Sequence, residues 1–332
     1  MSLALKSYLQ PLQPFLDHPE IAEICINKPK EVWVELKGRF TCSLIPALTE
    51  SHLLLLADLI AEYNHKQLSE TKPLLSATLP RGERCQLVLP PACAKDQFVC
   101  AIRKPTVADL TLADWEKRGA FEAIGENRRN RLNKSYLKLQ RLIEEGRYKE
   151  MLSFAVRAKL TILISGGTST AKTTLLNSCL KEIDPHERLI TIEGVREVQT
   201  AAANCVHLLA NEDEEQGKGA SMLDLLKVAF RLRPERIFLS ELRAREAYPF
   251  LRACLSGHPG SLTTLHADSI LSAKEQLKFM LREAPELNGV SEARLQTLIR
   301  SSVQVIVQMG RRDNGVRVIE DIELQGVDHE LV

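Results

Sequence analysis

TILISGGTSTAKTTLLNSCL, residues 161–180, runs from a short apolar strand through a glycine pair into an apolar helical stretch. That succession of strand, loop and helix is the context a phosphate-binding loop requires, and it matters more than the letters of any one pattern. A polyphosphate needs several backbone N–H groups aimed at one point, a helix N-terminus, a lysine for the outer phosphates and a hydroxyl for Mg²⁺. Gly166 and Gly167 open the loop, Thr168, Ser169, Thr170 and Ala171 continue it, Lys172 brings the cation, Thr173 the hydroxyl, and Thr174 follows.

The pattern G-x-x-x-x-G-K-[ST] is not met, because Ala171 occupies its last glycine position and Ser169 stands where a second internal glycine is often found. Ala171 falls where the helix is expected to begin, and there alanine is better than glycine by ~1 kcal/mol. Ser169 is the costlier change: a positive φ at that position would cost on the order of 1 kcal/mol or more. The donors are backbone groups and survive both changes, so nucleotide binding is expected, with turnover the quantity at risk.

From Ser135 onward, helical patterns alternate with short apolar runs, the signature of a parallel sheet. Ligands of such sheets sit beyond the carboxyl ends of the strands. There TILIS delivers the phosphate loop, RLITI delivers Glu193, RIFLS delivers Glu241 and SLTTL delivers His266. One carboxylate at this edge can orient or deprotonate a water, and another can hold the water shell of Mg²⁺. Each residue also has a plain structural alternative: Glu193 capping a helix, Glu241 pairing with Arg243, His266 packed or hydrogen-bonded, His258 shaping the turn beside Pro259 and Gly260.

The first hundred residues differ in character. EICIN and EVWVEL flank a Lys28-Pro29-Lys30 turn, Lys37-Gly38 turns into FTCSLI, a helix covers Ser51 to Tyr63, and QLVLPPA and QFVCAIRKP form two more strands. This half is α+β and spans residues 1–105. Polar residues dominate 106–134, which is read as a linker. Its run NRRNRLNK, Asn127–Lys134, lacks interleaved aromatics and fits a solvated connector better than a nucleic-acid patch. Residues 135–332 make the second domain, closing with VQVIVQM and VRVIEDIELQ around an Asn314-Gly315 hairpin signal.

Composition narrows the function classes. Lys plus Arg number 44 against 43 Asp plus Glu, so no overall charge draws the chain to nucleic acid or anionic lipid, and no sequence-specific nucleic-acid binding is expected. The eight cysteines never form C-x-x-C and read as reduced, mostly packed thiols. The opening segment lacks an apolar core and is broken by Pro11 and Pro14, and no apolar run approaches the ~20 residues that cross a bilayer. A cytosolic protein is expected, reaching any membrane through a partner.

RLITIEGVREV, RIFLSELRAREAYPFL and SGHPGSLTTLHADS resemble the acidic, Walker B and histidine boxes of the hexameric traffic ATPases of bacterial type IV secretion and conjugation systems. GERCQLVLPPA and AIRKP resemble the N-terminal domain of that family, so the likeness covers nearly the whole chain. The resemblance implies a RecA-like P-loop ATPase domain behind a smaller α+β domain. It assigns Lys172 and Thr173 to the phosphates and Mg²⁺ of ATP, Glu193 as catalytic base, Glu241 as Walker B acid and metal-site partner, and His266 as γ-phosphate sensor. Arg84 and Arg103 are placed where that family sends arginines toward the nucleotide; without the resemblance both are ordinary charged positions on strands. A homohexamer is implied, with nucleotide between the two domains, energising export and pilus assembly with other secretion components at the cytoplasmic face of the inner membrane. Gly194 stands where an aspartate usually follows the acidic-box glutamate, and Ser240 replaces a usual glycine. The segment from Arg118 to Lys134 is longer than the shortest family linkers, which admits a domain-swapped ring. A nucleotide-binding ring with little turnover is the competing reading. The related type II secretion and pilus-retraction motors fit less well; type II motors usually carry a four-cysteine zinc element that is absent here.

Overall fold

The computed structural model describes residues 3–105, 110–122, 124, 128–211 and 219–326, with backbone alone for 128–133. The connector reading of Asn127–Lys134 therefore lies almost wholly outside the residues whose side chains are described. The first sheet carries helices α1 (Leu3–Tyr8), α2 (Gln13–Asp17) and α3 (Glu50–Tyr63) on one face. Its strands are β1 (Ile21–Ile26), β2 (Glu31–Leu36), β3 (Arg39–Leu44), β4 (Leu74–Thr78), β5 (Arg84–Val88) and β6 (Val99–Arg103). They are antiparallel throughout, in the order β3-β2-β1-β6-β5-β4. The Lys37-Gly38 turn takes positive φ at both residues, 51° and 77°, as a two-residue hairpin connection demands.

Period-2 alternation buries both faces of this sheet. Ile24, Ile26, Cys100 and Ile102 pack under α1 and α3, while their neighbours Cys25, Val99 and Ala101 pack against the second half of the chain. After α4 (Leu112–Lys117), helix α5 (Arg128–Glu144) starts ahead of the Ser135 expected from the sequence, and α6 (Tyr148–Arg157) follows.

The second sheet alternates strand and helix: β7 (Ile162–Gly166), α7 (Lys172–Leu180), β8 (Leu189–Glu193), β9 (Cys205–Leu209), α8 (Met222–Ala229) and β10 (Arg236–Leu239). It continues through α9 (Ala247–Leu255), β11 (Leu262–Leu265), α10 (Ile270–Arg282), α11 (Glu292–Ser302), β12 (Val305–Arg311) and β13 (Arg317–Leu324). Strand order is β13-β12-β7-β11-β10-β8-β9, parallel except for the β12–β13 hairpin. Helices α5, α6 and α7 share one core with β7 residues Ile162 and Ile164, and Leu163 between them faces the core that contains α8 to α11. The sheet is thus covered on both faces, the arrangement that buries a parallel sheet.

Edge strand β9 is not left open. The connection after β5 lies along it: Cys93 bridges Leu208, Ala94 N–H donates to His207 O at 3.0 Å, and Leu209 N–H donates to Ala92 O at 2.9 Å. Buried Arg188 reaches across the same junction to Asn27 Oδ1 at 2.9 Å, and Arg233 pairs with Glu35. All eight thiols are free and seven are buried, Cys42 being the exposed one. Among the described residues no helix is long and apolar enough to cross a membrane.

Candidate active site

Because β7, β8, β10 and β11 are parallel, their carboxyl ends lie on one edge, and the register sets Leu265 opposite Ser165 and Leu239 opposite Ile192. A cavity of about 630 Å³ opens there, lined by the loop residues Thr168 to Thr174 together with Glu197, Asn211, Ser240, Glu241, Arg243 and His266. The loop is packed so closely that a Cβ on Gly166 would stand 2.5 Å from Thr170 Oγ1 and 2.7 Å from Met309 O, so only glycine fits that position.

Both missing glycines turn out to matter. Ser169 adopts φ 61° and Ala171 φ 69°, each in the left-handed region. The expectation that Ala171 helps the helix is corrected: α7 begins at Lys172, and Ala171 caps it with φ 69°, ψ 33°, outside the helical region. It gains nothing from helix propensity there and bears a left-handed penalty of roughly 1–2 kcal/mol. Ser169 bears a similar one.

Lys172 Nζ donates to Gly166 O at 2.9 Å and Gly167 O at 2.8 Å, and lies 3.2 Å from His266 Nδ1. Burial lowers its pKa from the usual lysine value, and Glu241 pulls the other way. His266 Nε2 is 2.9 Å from Glu241 Oε1, whose other oxygen accepts from Arg243 Nε at 2.8 Å. An ammonium can only donate, so His266 accepts at Nδ1 and donates its Nε2–H to Glu241. Lysine, histidine and carboxylate from three strand ends thereby form one hydrogen-bonded chain across the mouth of the loop. Glu241 does pair with Arg243, as its structural alternative holds, yet it also lines the cavity.

Glu193 is placed differently. Its side chain is 0% exposed, with Oε1 accepting from the amides of Glu197 at 2.8 Å and Val198 at 2.7 Å, and Oε2 from Thr191 Oγ1 at 3.0 Å. It shapes the turn after β8 and is not among the cavity-lining residues, whereas Glu197 is exposed and lines it. A second acid at the cavity, not singled out in the sequence, stands four positions along the same string, IEGVREV: a turn wrapped around one buried glutamate presents the next.

Arg84 and Arg103 face each other across β5 and β6 and line a separate cavity of about 340 Å³ with Lys66 and Arg231. Arg103 Nε donates to Glu23 Oε2 at 2.9 Å. Within one chain neither arginine reaches the phosphate loop cavity. His258 lies at the opposite edge of the sheet, 3.1 Å from Pro234 O and stacked on Phe230, and burial lowers its pKa: it shapes the turn.

The residues fit a nucleoside polyphosphate. The glycine cradle admits an anion against backbone, α7 points its N-terminus and Lys172 at it, and Thr173 is the hydroxyl on the first helical turn with Glu241 across the cavity.

Residues 6–315 match the family model described as type II/IV secretion system protein. The type IV secretion system protein PtlH homolog of Bordetella bronchiseptica is 38% identical over 310 residues, covering 92% of this chain and 90% of its own. The type IV secretion system protein VirB11 of Brucella suis biovar 1 is 35% identical over 320 residues, covering 95% and 88%. The solved structure of the Brucella suis VirB11 ATPase in complex with sulphate superposes with a TM-score of 0.88 at 34% identity, covering 96% of this chain and 94% of that one.

Proposed function

Since the chain belongs to the type II/IV secretion system protein family, we propose that it is an ATP-hydrolysing motor of a type IV secretion or conjugation system, working as a homohexamer at the cytoplasmic face of the inner membrane beside other secretion components. The observation that carries this reading is the Lys172–His266–Glu241 chain over a phosphate loop. Mg²⁺, when bound, would neutralise charge on the β- and γ-phosphates. Lys172 exchanges the carbonyls of Gly166 and Gly167 for phosphate oxygens, Thr173 and Glu241 would hold the metal and its water shell, and the freed His266 senses the terminal phosphate. Glu197, exposed in the cavity while Glu193 is committed to its turn, orients the attacking water. Arg84 and Arg103, outside the cavity of their own chain, serve the nucleotide of a neighbouring subunit, with residues 1–105 as one domain, α5 (Arg128–Glu144) opening the other, and the stretch between them as the link.

A second reading has its own observation. Left-handed Ser169 and Ala171 strain the loop, which favours a ring that binds nucleotide and turns it over slowly. Steady-state phosphate release with particle size, with and without Mg-ATP, separates the two. A motor releases phosphate from a large particle and loses activity by at least about 10²-fold in Lys172→Ala. Tight binding without release selects the passive ring.

A further inference from the structure

The loop's left-handed positions are held from two sides. On the inner side, Thr170 Oγ1 donates to Gly167 O at 2.9 Å and Lys172 Nζ to the carbonyls of Gly166 and Gly167. On the outer side a side chain distant in sequence arrives: Arg317 Nε donates to the carbonyl of Ser169 at 3.3 Å. Arg317 is the first residue of β13 and pairs with Arg311 of β12, and β12 runs beside β7 with Met309 opposite Gly166. The hairpin is therefore fixed to the strand that launches the loop, and the arginine is delivered from a rigid element.

The geometry of a peptide plane gives that contact a consequence. The bond between Ser169 and Thr170 is trans, the only cis bond in the described residues being Pro90-Pro91. In a trans peptide the carbonyl and the following N–H point in opposite directions. Holding the Ser169 carbonyl outward turns the Thr170 N–H the other way, and Thr170 lines the cavity whereas Arg317 does not. Alternating left- and right-handed residues turn successive N–H groups toward one anion. With glycine at 169 this conformation carries no Cβ penalty; with serine the left-handed φ of 61° is disfavoured.

We propose that Arg317 is a positioning residue of the nucleotide site, bracing the strained Ser169–Thr170 peptide so that its amide faces the phosphates. It compensates in this chain for the glycine that Ser169 replaces. The inference rests on the nucleotide-binding reading of the same loop. It is tested with full-length Arg317→Ala, Ser169→Gly and the double variant, by calorimetry with Mg-ADP, by kcat and KM for Mg-ATP, and by amide exchange across residues 166–172 without nucleotide. Arg317→Ala should weaken Mg-ADP about fivefold, the worth of one net hydrogen bond, raise KM in parallel and leave kcat within about twofold. Its Thr170 amide should exchange faster than in the parent, and Arg317→Lys should recover most of the loss. In the Ser169→Gly background the same arginine deletion should change affinity by less than about twofold. Equal losses in both backgrounds would overturn the brace, leaving only general charge attraction, and so would unchanged affinity and exchange in Arg317→Ala. If the parent protein takes up no Mg-ADP, the functional reading fails, while the exchange comparison still decides the brace.

Discussion

The proposed function gives the water-orienting role to Glu197 rather than to Glu193, which the family resemblance implies, and paired substitutions test this. Glu193 receives three hydrogen bonds at 2.7, 2.8 and 3.0 Å in a fully buried position. Hydrogen bonds to a charged group contribute roughly 1.5–3 kcal/mol each and do not add fully, so Glu193→Ala should cost about 3–5 kcal/mol. At roughly 2–4 °C per kcal/mol, the thermal midpoint should fall by about 6–20 °C. Glu193→Gln is milder, since its carbonyl oxygen keeps the two amides and its NH₂ can donate to the Thr191 hydroxyl; a loss of about 1–2 kcal/mol is expected with turnover largely kept. Exposed Glu197 bears no such load, and Glu197→Gln should hold stability within about 0.5 kcal/mol while phosphate release drops by about 10²–10⁴-fold. Differential scanning calorimetry and steady-state phosphate release on the same preparations give both readouts. A stable but inactive Glu193→Gln beside a fully active Glu197→Gln would refute the reasoning.

Ala171→Gly should raise stability by up to about 1 kcal/mol, the left-handed penalty less the added freedom of the unfolded chain, seen as a higher urea midpoint at unchanged slope. His266→Ala should cut hydrolysis at least about tenfold yet keep Mg-ADP affinity within about threefold, because ADP lacks the phosphate this residue is proposed to sense; equal loss of ADP binding would contradict the assignment. Burial pushes His207 down to about 4, with Arg196 adding to the fall. The unfolded chain therefore takes up a proton between about pH 6.5 and 4 that the native state refuses, and stability falls as pH drops through that window, by up to about 3 kcal/mol. His207→Asn, whose side-chain oxygen can still meet the Thr191 hydroxyl, should flatten that part of the stability profile; an unchanged slope would assign the acid sensitivity elsewhere.

The strand, loop and helix around Gly166 and the alternation after Ser135 were readable because apolar runs of four or five residues separated by helical stretches have few other solutions. The convergence of loop, Glu241 and His266 followed from parallel strands alone. Strands β4 and β9 were not read: LLSAT and CVHLL are short, β4 is held by its hairpin partner β5, and β9 is completed on its outer side by residues 92–94, distant in sequence. Missing β9 also hid Asn211, which reaches the cavity from just beyond that strand's end. Ala171 was misread because propensity speaks for helix interiors and the residue lies one step outside. The inward turn of Glu193 depends on amides four and five residues ahead, a closure that no local pattern encodes.

If the functional reading holds, this loop still encloses a polyphosphate although serine and alanine occupy its left-handed positions. Isothermal titration of the folded protein with Mg-ADP measures it directly. Saturable heat is expected, and it should disappear in a Lys172→Ala protein that remains folded by its thermal transition. A well-folded sample that gives no heat with either ADP or ATP in the presence of magnesium would contradict it.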